Sequence, residues 1–348
     1  MIDFRYHLVS IVAVFLALAI GIVLGSTELQ GSVIDGLRSS SNSLKSQLSA
    51  ATAKRDAYEQ QVNASGTFLQ TAEPKLLSGL LPGEKVLLVT EPGAPSGITG
   101  GIEKAAGYAG ASIAGTVALQ PKFNDLSGTT RSSLAAINQQ LAAADGTVLD
   151  TATDQSTVYQ QEAAQLIATA VLNLADGQLG LTVAQAQTLL SAYAKAGFLT
   201  TSGAPWNRAT LAVIVAPASA PSDGQNDQAN QVLLALAAQF AEASAATVVT
   251  GPVTSSALSS SAISALRGSG VSGQVSSVDN ADTTLGQIST IWALADQRAG
   301  GKPNSYGISG ASAVSPSVPS PVPSDTPTAS STPTTKATGG VKKTVKTK

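Results

Sequence analysis

The chain has 348 residues, with 20 Lys and Arg against 22 Asp and Glu, one histidine and no cysteine. These counts exclude a disulfide framework and any thiolate metal site. A net charge of −2 excludes a fold-wide basic surface for nucleic acid, while 43% hydrophobic residues is ample for a core.

The chain opens MIDFRYHLVSIVAVFLALAIGIVLGS, and from Leu8 to Gly25 nothing is more polar than Ser10. Eighteen residues at the helical rise reach about 27 Å, close to the thickness of a bilayer's hydrocarbon core. A cleavable signal has a shorter apolar region followed by a small-residue cut site. Here the one A-x-A-like triplet, Ala17-Leu18-Ala19, sits inside the run, and cutting there would leave Ile20 to Leu24 as an apolar new terminus. The expectation is a retained anchor over 1–27, in contact with the lipid bilayer through residues 8–25. Arg5 precedes the run while Glu28 and Asp35 follow it, so the positive-inside rule leaves the N-terminus in the cytoplasm and the bulk outside. His7, beside the membrane, reads as an interfacial residue, and a His-based triad has no histidine in the exported part, so no enzyme is expected. Gly21 and Gly25 form a G-x-x-x-G, a candidate transmembrane dimer contact that lets helices approach closely.

Over 28–64 a heptad trace suggests a coiled-coil stalk. Ile34, Ser41, Leu48, Arg55 and Val62 fall at a, and Leu37, Leu44, Ala51 and Tyr58 at d. Leu37, Leu44, Leu48 and Ala51 are its candidate contacts, in a homodimer or higher oligomer. A lone amphipathic helix folded onto the next domain fits the same pattern.

From Lys85 the texture changes. KVLLVT, the turn EPGAPSGITGG, a helical stretch to Gly110 and ASIAGTVAL read as strand, glycine loop, helix and strand, the continuous apolar runs implying burial on both faces. Helical patterns follow around 129–144, 160–174 and 182–196. A second series has strands at ATLAVIVAP, ATVVTG and GQVSSV and helices over 228–243, 256–267 and 284–298. Two βαβ-type halves predict a doubly wound, Rossmann-like α/β domain within the extracytoplasmic segment 65–308. The glycines at 93, 97, 100 and 101 match neither G-x-G-x-x-G nor a P-loop, so the turn reads as structural, with no cofactor. Asp279, Asn280 and Asp282 admit two readings. Asp279 and Asp282 are candidate ligands of a hard cation, or the Asp and Thr residues here cap the following helix.

The segment 309–348 is rich in Ser, Thr and Pro and holds Lys336, Lys342, Lys343, Lys346 and Lys348 against Asp325. With no apolar cluster to offset ordering entropy, it is expected to be a disordered tail.

The N-terminal block MIDFRYHLVSIVAVFLALAIGIVLGS, the turn VTEPGAPSG, AGASIAGTVAL and SSVDNADTTLGQISTIWALADQRAGGKPNSYG together resemble the actinobacterial MctB family, from Met1 to about Gly310. The resemblance implies an envelope protein of copper transport, efflux and homeostasis. It further implies a proposed outer-membrane channel in mycolate-bearing bacteria. It also implies an alternative, a non-enzymatic envelope scaffold that acts with a membrane or cell-wall partner in cell separation. The residues themselves supply little for copper. Copper(I) takes thiolate or thioether and copper(II) imidazole, yet Met1 and His7 are alone of their kinds. The strands are also continuous apolar runs, not the alternating segments of a membrane barrel.

Overall fold

The computed structural model describes residues 4–149, 156–174, 181–218, 225–252 and 261–321, with side chains over the same ranges except 26–34 and 225–227. The chain divides into two units, Met1–Phe68 and Leu69–Lys348.

The described residues of the first unit are helical. One α-helix, α1, runs from Phe4 to Leu77. Its Ala, Leu, Gln, Lys and Arg content gives high helix propensity, and no proline occurs before Pro74. The window Phe4–Gly25 has a mean hydropathy of 2.9 and is long enough to cross a membrane. Its side chains from Phe4 to Gly25 are exposed, and so are Leu37, Leu44, Leu48, Tyr58 and Val62. Because α1 is unbroken, angles along it can be counted. At about 100° per residue, Gly25 and Leu37 lie about 120° apart around the axis. The glycine pair and the heptad seam are therefore different faces.

The second unit holds a seven-stranded sheet. Its strands are β1 (Lys85–Thr90), β2 (Ser112–Leu119), β3 (Leu199–Gly203), β4 (Leu211–Val215), β5 (Ala246–Thr250), β6 (Ser276–Val278) and β7 (Ser305–Tyr306). They lie in the order β3-β2-β1-β4-β5-β6-β7, all neighbours parallel except β2 and β3. The central strands β4 and β5 are buried at every residue, as continuous apolar runs require. The helices are α2 (Ser96–Tyr108), α3 (Gly128–Asp145), α4 (Val158–Val171), α5 (Val183–Lys195), α6 (Gln225–Ala243), α7 (Ala262–Arg267) and α8 (Thr284–Arg298).

The crossovers β1–α2–β2 and β4–α6–β5 travel in opposite directions along the sheet. Right-handed connections then put α2 and α6 on opposite faces. Two cores result. Val86, Leu88, Val213, Val215 and Val248 pack with Ile98 and Ile102 of α2, Ile288 and Ile291 of α8, and Leu77, Leu80 and Leu81. On the other face Leu87, Val89, Val117, Ile214 and Val249 pack with α3 to α7. A buried network joins three helices of the second face. Tyr193 donates to Asn138 Oδ1 at 2.7 Å, and Asn138 Nδ2 donates to the Tyr159 carbonyl at 2.8 Å and to Glu162 Oε2 at 3.1 Å. Burial raises the Tyr193 hydroxyl pKa far above its ordinary range, so it stays a donor.

The doubly wound reading of the sequence holds, and the helix expected over 284–298 has those bounds. Two strands escaped it. β3 is a polar edge strand with four of five residues exposed, and β7 has only two residues. The helix expected from 256 begins at Ala262, residues 253–260 lying outside the described ones. Of the segment taken as tail, 309–321 makes contacts with the domain. Ser305 and Ser312 share a hydrogen bond of 2.8 Å, and Tyr306 forms a bridge with Ala313. The rest, 322–348, lies outside the described residues.

Candidate functional site

A doubly wound sheet binds ligands where the crossovers diverge, outside the carboxyl ends of its strands. Here that point lies between β1 and β4. Glu91 follows β1 directly, and its amide donates to the Val215 carbonyl at 3.0 Å, so it prolongs the strand by one residue. Its side chain is 4% exposed, and Oε1 has no hydrogen-bond partner. Burial with nothing opposite pushes its carboxyl up to about 8, so at neutral pH it carries a proton. The turn that follows is built from Pro92, Gly93 and Pro95, with Gly93 at φ 83° against Pro217. The turn quoted from the sequence thus lies at the switch point, and the residue that stands out there is the acid, not the glycines.

Two more unpaired oxygens belong to the same edge, Asn124 Oδ1 after β2 and Gln160 Oε1 in the first turn of α4. The other end of the Gln160 amide donates to the Phe123 carbonyl at 3.3 Å. Near them Asp125 organises the start of α3. It accepts from Thr130 Oγ1 at 2.6 Å and from the Ser127 amide at 2.9 Å, and these bonds hold its carboxyl below the usual range.

The acids singled out from the sequence sit elsewhere. Asp279, after β6, is 1% exposed, and its oxygens are taken. Oδ2 accepts from Arg267 Nη1 at 2.8 Å and from the Ser309 amide at 2.9 Å, and Oδ1 accepts from the Ile308 amide at 2.8 Å. Arg267 in turn donates to the carbonyls of Tyr306 and Ser309, each at 2.7 Å, and to Ser277 Oγ at 3.0 Å. Gly307, at φ 131°, leaves room for that carboxylate, since a Cβ there would collide with Asp279 Oδ1. A cavity of about 190 Å³ beside this clamp is lined by Arg267, Ser277, Asn304, Ser305 and Ser312. The cap of α8 is Thr283, whose Oγ1 accepts from the Gly286 amide at 3.2 Å. Asp279 is thus a clamp on the C-terminal loop and not a cap. Asp282 is exposed on the turn between.

Among the described residues no group of three or more His, Asp or Glu side chains could hold a metal ion. Gly21, Gly25, Leu37, Leu44, Leu48 and Ala51 all lie exposed on α1.

Comparison with known proteins adds three findings. The family described as "Copper transport outer membrane protein, MctB" matches residues 1–316. A Mycobacterium tuberculosis protein (strain H37Rv) named copper transporter MctB is 30% identical over 313 residues, 88% of this chain and 96% of its own length. A Mycobacterium leprae protein of the same name is 28% identical over 327 residues, 92% of this chain and 100% of its own.

Proposed function

The chain belongs to the MctB family of copper transport outer membrane proteins, and from that premise we propose that it serves copper homeostasis as a single-pass, non-enzymatic envelope protein. The observation that carries the reading is the extent of the match. It runs from the apolar helix through the whole α/β unit to residue 316. Phe4–Gly25 is the anchor, with the N-terminus in the cytoplasm and the α/β unit outside.

Copper here is cargo, and the donor set argues for indirect handling. Soft copper(I) takes sulfur, and copper(II) favours imidazole. The chain has no cysteine, one methionine at position 1 and one histidine at position 7. Copper ligands then come from a partner, while this chain supplies anchor, stalk and domain. Self-association through the heptad face supports a stalk role. Leu37, Leu44 and Leu48 are each more than 60% exposed on one unbroken helix, and a second copy would cover them. The glycine pair favours a right-handed crossing and heptads a left-handed one, so one helix pair cannot use both faces.

The test is deletion of the gene from its own bacterium, with cell copper measured and the deletion complemented. Copper should rise in the deletion strain. The full chain should restore it, and a chain lacking residues 4–25 should not. A deletion strain that fails to separate its daughter cells at normal copper would favour the scaffold role instead.

A further inference from the structure

Glu91, Asn124 and Gln160 each bury a side-chain oxygen that accepts no hydrogen bond. The topology gathers them. In the β1–β2 register Thr90 pairs with Ala118, so the next positions are Glu91 and Leu119. Strand alternation returns Glu91 to the face of Leu87 and Val89. Leu119 and Phe123 belong to that same core. Gln160 bonds to the Phe123 carbonyl, and Asn124 is the next residue along. The three oxygens therefore share one end of one face, beside the point where the two crossovers diverge.

We propose that this edge binds a small molecule through its primary ammonium group. All three unpaired atoms are acceptors, because the Gln160 nitrogen is already committed to Phe123 and fixes the oxygen as the free end. An ammonium carries three N–H donors and one positive charge. Three acceptor oxygens and a single carboxyl group answer it in number and in charge. A divalent metal ion is the poorer match, since calcium takes six to eight oxygens and magnesium six, and one carboxylate with two amides supplies three. Burying an unpaired carboxyl is costly, and a cation that pairs with it recovers that cost. Because Glu91 holds a proton at neutral pH, the ammonium must expel it. Binding therefore releases about one proton per ligand at pH 7. This inference does not depend on the copper reading.

The experiment is calorimetry on the full chain in detergent micelles, in buffers of different ionisation enthalpy. Ethanolamine and 1,4-diaminobutane are the probes, with tetramethylammonium as a cation lacking N–H groups. Both amines should bind at one per chain with release of about one proton at pH 7, and several-fold more tightly near pH 8.5. Glu91→Gln should weaken them at least ten-fold. Gln160→Met should weaken them too, and Asp282→Asn, on the exposed turn before α8, should not. The proposal is overturned if neither amine binds, if tetramethylammonium binds as well, or if Glu91→Gln binds equally. Binding of calcium or manganese that depends on Glu91 would also overturn it, by assigning the oxygens to a metal.

Discussion

Glu91 and Asp279 both follow a strand of the same sheet, and both are buried, 4% and 1% exposed. Their surroundings are opposite. Asp279 meets a guanidinium and two amides, whereas Glu91 Oε1 meets nothing. Burial alone therefore does not tell what an acid is for. A carboxylate whose lone pairs are filled by its own chain is part of the scaffold. One left unpaired at a ligand-binding edge is a cost the fold carries, and such a cost points outward to a missing partner.

The sharpest way to break the comparison is to truncate the paired acid. Asp279→Ala removes a carboxylate and leaves Arg267, with its side chain 12% exposed, facing an empty site. Breaking a buried pair by removing one partner costs about 3–5 kcal/mol. Tryptophan fluorescence follows it well, because Trp206 and Trp292 both lie in the α/β unit. Thermal unfolding should shift down by about 6–10 degrees or lose its cooperative transition. A shift of under two degrees would mean that the clamp holds nothing.

Glu91→Gln should move stability the other way. The native state keeps a proton that the unfolded chain releases above about pH 4.5, because the folded carboxyl titrates near 8. Stability of the wild type therefore falls as pH rises from about 4.5 to about 8, and it is level above that. The whole fall is about 4–5 kcal/mol by linkage. Glutamine carries no such proton, so the variant should be more stable by roughly 2–4 kcal/mol at pH 7 and lose the slope between pH 5 and 8. Urea unfolding at pH 5, 7 and 9 measures it. A variant less stable than wild type at pH 9 would show that the carboxylate is paired after all.

Gly307→Ala tests the room around the clamp. The added Cβ collides with Asp279 Oδ1, and φ 131° is strained for any residue with a side chain. A cost of about 2–3 kcal/mol is expected. In the background of Asp279→Ala the same change should cost less, since the collision is gone. A double-mutant cycle reads the coupling, and additive effects would refute it.

The architecture was legible from sequence because period and burial agree. KVLLVT and LAVIV are continuous apolar runs and lie in the sheet centre, and 284–298 is a helix to the residue. β3 escaped because an edge strand facing solvent carries no apolar signal, as LTTSG shows. The angular offset between Gly25 and Leu37 needed the knowledge that α1 has no break. The site was half legible. The turn VTEPGAPSG drew attention through its glycines, but Glu91 ends an apolar run, and that was the informative residue. Gln160 and Asn124 were beyond reach, since only the fold brings α4 and the end of β2 to the same edge.

The smallest effect concerns the stretch that sequence could not divide. In VDNADTT, aspartate and threonine are both favoured caps. The structure separates their work, with Thr283 Oγ1 accepting from Gly286 at the start of α8 while Asp279 turns away to Arg267. Thr283→Ala should therefore cost about 1 kcal/mol, the ordinary worth of a cap, and Thr283→Asp should recover most of it because a carboxylate also caps and favours the positive helix end. Asp282→Ala lies on the same turn and should change stability by no more than about 0.5 kcal/mol. If Asp282→Ala proved the costlier of the two, the cap would belong to Asp282. The division between clamp at 279 and cap at 283 would then have to be redrawn.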